Sequence, residues 1–339
     1  MTMAKKIIAA AAHTAPVFMN KNGSIEKALR IIKEAKEEGI DYLVFPETFV
    51  PGYPYFIHTY PPLKYAQALA QYADESVVVG RTGGDLLPLM RLCGELEIAI
   101  SIGISERVEG GRTLFNSQAF IDTNGVLLGV HRKIQPTYAE RTVWAQGSGH
   151  TLRVWPSNVG RLGGLACWEN TMNNARQVMI EEREEIHAAA WPALSTISGF
   201  ESVADVQIEA LMKNHAFTAQ VWVICASDYV DDGTLEWMEK NLGPQDLVKK
   251  GGGWSGVIHP FCAMLAGPHT GAEEKLLKAE INLEELGGVK VWIDASGHYK
   301  RPGLFKLEVD RNPEWPDDEI IAAGALSPSS LETKGKKKD

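Results

Sequence analysis

Cysteine is scarce in this chain: Cys93, Cys167, Cys225 and Cys262 are the only four in 339 residues, and no two form a C-x-x-C pair. At that density in a chain this long they read as free thiols of a reducing compartment, not as a disulfide framework. Positive charge is also short. Against 43 acidic residues stand 34 Lys and Arg, a net charge of −9, and the bases are scattered rather than gathered into a stripe. That excludes the electrostatic footprint of a nucleic-acid binder and points to a small partner. No apolar run reaches the length needed to cross a bilayer. The opening "MTMAKKIIAAAAHTAPVF" imitates a signal peptide, but its apolar run is short, His13 interrupts it, and the chain reads straight on into a folded pattern. It is therefore expected to be a first buried strand. The nine histidines form no H-E-x-x-H or comparable cluster, so no metal is expected, and "GRTGGD" lacks the lysine and spacing of a phosphate loop. Neither a solenoid-period repeat nor a linker-type break interrupts residues 5 to about 310. One cytoplasmic domain over residues 1–315 is expected, followed by a polar, lysine-rich tail over 316–339 that has no core-forming pattern.

What is present is ample apolar material, 45% of the residues, in alternating segments. Ser24 stands where an N-cap is expected, and Ile25, Ala28, Leu29, Ile32 and Ala35 recur at helical spacing up to the stop at Gly39. The short apolar "YLVFPE" follows, which makes a β-α-β opening. "DLLPLMRLCGELE" reads as a helix and "IAISIGIS" as a strand, while "TLFNSQAFID" and "GVLLGVHRK" read as a hairpin turned at Thr123-Asn124-Gly125. Downstream, "RLGGLACW", "HAAAWPAL" and "VWVICAS" are strand-like and alternate with the helical "NNARQVMIEEREEI" and "DVQIEALMKNHAFTAQ". "WSGVIHPFCAMLAG" and "LLKAEINLEEL" add further strands. The pattern predicts layered α/β with mixed sheets.

Three residues can do chemistry together. Glu47, in "FPET", directly follows an apolar strand and must leave its end, and the strand ends of an open α/β sheet are where sites assemble. Lys133, in "HRKIQPT", sits at the exit of the hairpin. Cys167, in "GGLACWENTMNN", lies between a strand and a polar helix start. Taken singly, each has an ordinary structural explanation: a salt-bridged acid, a solvated lysine, a buried apolar thiol. Together, all three follow β-rich stretches and precede turns, so they are expected to converge at one edge of one sheet. A thiolate is the competent nucleophile, and a helix start is expected to lower the thiol's pKa. A carboxylate would take its proton, and an ammonium would hold charge developing on a substrate heteroatom. Cys93, Cys225 and Cys262 lie in apolar patterns and are expected to be buried and inert.

In that order, "FPET", "HRKIQPTYAERTVW" and "CWEN" resemble the Glu-Lys-Cys signature of the nitrilase (carbon–nitrogen hydrolase) superfamily, and the likeness runs from "IIAAAAHTAPVF" to "GHYKRPG". Within it, "FVPGYPYF", "PTYAERTVWAQGSG", "CWEN" and "GHYKRP" are similar to the nitrilase branch. The resemblance implies an αββα sandwich with mixed sheets and helices on the outer faces. It further implies a homodimer or larger, often spiral, homo-oligomer and no cofactor. Its catalytic residues would be Glu47 as base, Lys133 as electrostatic stabiliser, Cys167 as nucleophile and Glu140 as a second acid. Nitrile hydrolysis to acid and ammonia is the implied activity. An amidase or carbamoylase would use the same residues, and a silent scaffold subunit would leave Cys167 unreactive. Tyr53, Tyr138, Trp168 and Trp191 flank the motifs and are the expected substrate-binding residues. Two features depart from the pattern: Asn173-Asn174 stands where Pro-Leu is usual, and "WAQGSG" replaces Trp-Gly-x-Gly-Asp-Gly.

Overall fold

The computed structural model describes residues 6–322. Strand β1 (Lys6–His13) shows why two sheets can face each other so closely. Its side chains alternate: Ile7, Ala9 and Ala11 join one core cluster with Leu162, Ala188 and Ile224, while Ala10 and Ala12 join another with Ile32 and Leu89. A strand buried on both faces reads as a continuous apolar run, as this one does.

One sheet has the order β12-β1-β2-β3-β4-β5. Here β2 is Tyr42–Val44, β3 Ala99–Arg107, β4 Leu114–Ile121, β5 Leu127–Arg132 and β12 Lys275–Asn282. Strands β1, β2 and β3 run parallel and the others pair antiparallel. The other sheet has the order β11-β10-β9-β8-β7-β6. Its strands are β6 Trp155–Ser157, β7 Gly160–Ala166, β8 Ile186–Trp191, β9 Trp222–Ser227, β10 Ser255–Ile258 and β11 Met264–His269. Strands β7, β8 and β9 are parallel. Helices α1 (Lys21–Glu37) and α3 (Leu87–Leu96) pack their apolar stripes on the outer face of the first sheet, and α4 (Asn173–Glu181) and α5 (Ala204–Ala219) on that of the second. The expected αββα sandwich with mixed sheets is the observed fold. Among the described residues no helix is long and apolar enough to cross a membrane.

Several local expectations change. Helix α1 begins one turn early, capped by Asn20, whose side chain accepts from Gly23 N. Ser24 instead ties itself to the backbone of Val17 through its hydroxyl, which donates to the carbonyl and accepts from the N–H. Helices α2 (Ala66–Asp74) and α6 (Asp232–Leu242) were not anticipated. Cys93 and Cys225 are buried, but Cys262 is only half-buried because it lies in the turn between β10 and β11 with φ of 69°. The tail expected from residue 316 also starts too early. Asp317 and Asp318 open helix α8 (Asp318–Ala322) and bind the buried Arg132 guanidinium at 2.7 and 3.0 Å. The rest of that expectation, from residue 323, lies outside the described residues.

Candidate active site

Strand ends deliver the site, but from both facing sheets and not from one edge of a single sheet as expected. Glu47 follows β2 and Lys133 follows β5 in the first sheet, while Cys167 follows β7 in the second. All three are 1% exposed. The Lys133 ammonium donates to Glu47 Oε1 at 2.9 Å and to Glu140 Oε2 at 2.7 Å. One carboxylate oxygen of Glu47, one of Glu140 and Cys167 Sγ all lie within 4.8 Å of one another. The sequence thus named four residues that the fold brings into a single buried cluster, Glu140 included.

Each turn that carries a member holds a non-glycine residue in the left-handed region: Thr48 at φ 43°, Tyr138 at 45° and Cys167 itself at 51°. Such conformations cost free energy and persist only where surroundings over-determine them. Glycine makes one such turn possible: a Cβ on Gly103 of β3 would meet Pro46 O at 2.2 Å and Glu47 Cα at 2.7 Å, so only glycine lets the "FPET" turn lie across that strand.

Two carboxylates share one ammonium here, and the balance is visible in the groups around them. Glu47 Oε1 also accepts from Asn116 Nδ2 at 2.6 Å, whereas Glu47 Oε2 is buried without a partner. Burial pushes the Glu47 carboxyl up to about 7, Glu140 adds to the rise, and Lys133 and Asn116 oppose it. Glu140 is better supplied, accepting from Tyr53 Oη at 3.0 Å and from Thr137 N at 2.8 Å. Tyr53 Oη lies in turn 3.1 Å from His58 Nε2. Lys133 is held well above its ordinary value because the two carboxylates outweigh burial.

Cys167 corrects one expectation. Its thiol is pushed well up, first by burial and then by Glu47, with Lys133 and the Trp168 N–H opposing. A short 3₁₀ turn, Cys167–Thr171, follows it, and α4 (Asn173–Glu181) starts only six residues on, so the dipole of a full helix is not aimed at the sulfur. The resting thiol keeps its proton, with a carboxylate nearby to take it.

Glu169 ties the two sheets' turns together. Its carboxylate accepts from Ile134 N at 2.8 Å, beside Lys133, and from Ala166 N at 3.0 Å, beside Cys167, and it pairs with His131 Nε2 at 3.0 Å. Asn116, His58 and Glu169 were missed in the sequence. For Asn116 the signal was there: "NSQ" places three polar residues in a row inside an otherwise apolar strand.

A cavity of about 760 Å³ opens onto this cluster, with Cys167 and Glu140 among its lining residues while Glu47 and Lys133 lie behind it. Ile57, Tyr60, Tyr65, Leu194, Ile197 and Phe200 make it largely apolar. Of the expected substrate-binding residues, Tyr53, Tyr138 and Trp168 line it. Tyr138 is 80% exposed and so stands at the rim. Trp191 does not line it: the indole is fully enclosed in the core that packs β8 and β9 against α5. Asn173 opens α4, where its side chain accepts from Arg176 at 2.6 Å.

Comparison with known proteins agrees with this geometry. The carbon–nitrogen hydrolase family model matches residues 8–291. An aliphatic nitrilase of Rhodococcus rhodochrous is 31% identical over 332 residues, covering 96% of this chain and 85% of the relative. An arylacetone-specific nitrilase of Alcaligenes faecalis is 31% identical over 335 residues, covering 98% and 92%. Among solved structures, a carbon–nitrogen hydrolase from Helicobacter pylori G27 superposes with a TM-score of 0.68 at 20% identity, covering 89% of this chain and 97% of that one, a likeness of fold.

Proposed function

Because the chain belongs to the carbon–nitrogen hydrolase family, the nitrilase superfamily, we propose that it converts a nitrile and two waters into a carboxylic acid and ammonia on Cys167. The observation that carries this reading is the buried cluster itself: a thiol lining an apolar cavity, a carboxylate within 4.8 Å of it that keeps one oxygen unpartnered, and, behind the cavity wall, an ammonium held between two carboxylates.

Cys167 Sγ attacks the nitrile carbon while Glu47 accepts the thiol proton and delivers it to nitrogen, giving a thioimidate. Water, deprotonated by Glu47, adds to the same carbon. The tetrahedral intermediate carries charge that Lys133 and the Trp168 N–H stabilise, worth on the order of 10²–10³ in rate for one such donor. Loss of ammonia leaves a thioester, and a second water releases the acid and restores the thiol. Glu140 keeps Lys133 charged and placed, and by lining the cavity it is also within reach of that water. Expulsion of the thiol from the tetrahedral intermediate would give the amide instead.

The two curated relatives named above are equally identical to this chain yet bear different substrate names, so identity does not choose a substrate and the cavity must. Aromatic and aliphatic walls suit an uncharged nitrile with an apolar body. By this reading the protein acts in the cytoplasm as a homodimer or larger homo-oligomer, for which the exposed Val291, Trp292, Leu304 and Phe305 provide apolar surface to bury.

The test is a panel of aliphatic, arylaliphatic and aromatic nitriles, with their amides alongside, read by ammonia release. Turnover of nitriles with little turnover of the matching amides is expected. Amides turned over while nitriles stay untouched would make the protein an amidase or carbamoylase.

A further inference from the structure

Asn170, His187, Glu184 and His215 are each at most 1% exposed, and none of the four lines the cavity. Asn170 Nδ2 donates to Leu165 O at 3.1 Å and to Cys167 O at 2.9 Å. Carbonyl oxygens only accept, so the amide nitrogen must face them and the amide oxygen must face His187 Nε2, 2.9 Å away. Nε2 therefore carries a hydrogen. His187 Nδ1 is 2.7 Å from Glu184 Oε1, and Glu184 Oε2 is 2.9 Å from His215 Nε2. Burial pushes the Glu184 carboxyl up, but the two imidazoles outweigh it and hold it at about 2. His187 Nδ1 and Glu184 Oε1 share one hydrogen across their 2.7 Å contact, which fixes the ring between the carboxylate and Asn170. Burial lowers His215 to about 4, which leaves it neutral, with Nε2–H on Glu184 and Nδ1 unpartnered.

We propose that this buried row, His215–Glu184–His187–Asn170, is a positioning device for the nucleophile: the hydrogen-bonded His187–Glu184 pair locks Asn170, and Asn170 locks the Leu165 and Cys167 carbonyls that set the left-handed backbone of Cys167. The proposal rests on Cys167 being the nucleophile. A cysteine at φ 51° relaxes unless something holds it, and relaxation would carry Sγ away from Glu47. The Glu-His-His composition would also suit zinc. These atoms, however, contact one another at 2.7 and 2.9 Å through shared hydrogens, which fill the place of an ion. Room for the carboxylate is built into β7: a Cβ on Gly163 would lie 2.1 Å from Glu184 Oε1.

The substitutions His187→Gln and His187→Asn separate positioning from mere packing, since glutamine can still reach Asn170 from the Nε2 position and asparagine cannot. With both variants folded, the Asn form should alkylate at Cys167 and turn over at least ~10-fold more slowly with KM within about twofold, while the Gln form keeps most of the rate. Equal rates in the two folded variants would overturn the proposal. Should either fail to fold, nitrogen-15 NMR of histidine in the intact protein decides: His187 must carry hydrogen on Nε2, the nitrogen that faces Asn170, and a ring with a bare Nε2 would overturn the proposal. Failure of the unmodified protein to alkylate at Cys167 would instead strike the nucleophile reading, leaving the NMR result to stand by itself.

Discussion

At Glu47 burial and charge pull in opposite directions, and the outcome sets how the protein should respond to pH. Burial raises the carboxyl to about 7 while Lys133 and Asn116 restrain it. A base accepts a proton only when ionised, so kcat/KM should rise with pH through about 7 and fall toward acid. Asn116→Ala removes a hydrogen bond that favours the ionised form, so the acid limb should move to higher pH; a pH–rate profile with an unmoved limb would assign it to another group. For Glu140→Gln, turnover should drop by about 10²-fold or more with little loss of thermal stability, measured by kinetics and melting on the same preparation. Near-normal turnover would remove Glu140 from the catalytic machinery and leave it a structural partner of Lys133. The principal residues were legible because each stands where an apolar strand stops, which is a one-dimensional signal. Asn116 sits mid-strand, and His58 reaches the cluster only through Tyr53, so strand-end reasoning passed over both.

At the scale of elements, the strands were readable because both faces of the central ones are apolar, and the Asn124-Gly125 turn fixed its hairpin. The start of α1 was not, because Ser24 is as good a cap by type as Asn20, and only the contact of Ser24 with Val17 distinguishes them. Glycine pairs in the sequence likewise do not disclose which neighbour they make room for. Gly163→Ala should force its methyl against Glu184, costing about 1–3 kcal/mol in denaturant unfolding and slowing turnover together. Unchanged stability would mean that β7 shifts freely and that the carboxylate is not fixed there.

On the scale of the whole molecule, the site exists only because two sheets are held in one relation, by Glu169 between the Lys133 and Cys167 turns and by Gln118, which donates from β4 to Ala188 O of β8 at 3.1 Å. The chain end takes part too. Arg132, next to Lys133, is fully buried over the Phe115 ring and pairs with Glu106, Asp317 and Asp318. Asp318→Ala should cost about 3 kcal/mol in chemical denaturation, because it strips a partner from a buried guanidinium. A change below about 0.5 kcal/mol would detach α8 from the stability of the fold. Nothing in a polar, lysine-rich end signals this, since the partners are separated by 186 residues. The central claim, that Cys167 is the covalent centre, is tested most directly by mixing the protein with a turned-over nitrile, quenching within one turnover in acid, and mapping the added mass by peptide mass spectrometry. The adduct should sit on Cys167, with Cys167→Ala folded and inactive and Cys225→Ala still active. An adduct on another residue, or nitrile hydrolysis surviving in Cys167→Ala, would contradict it.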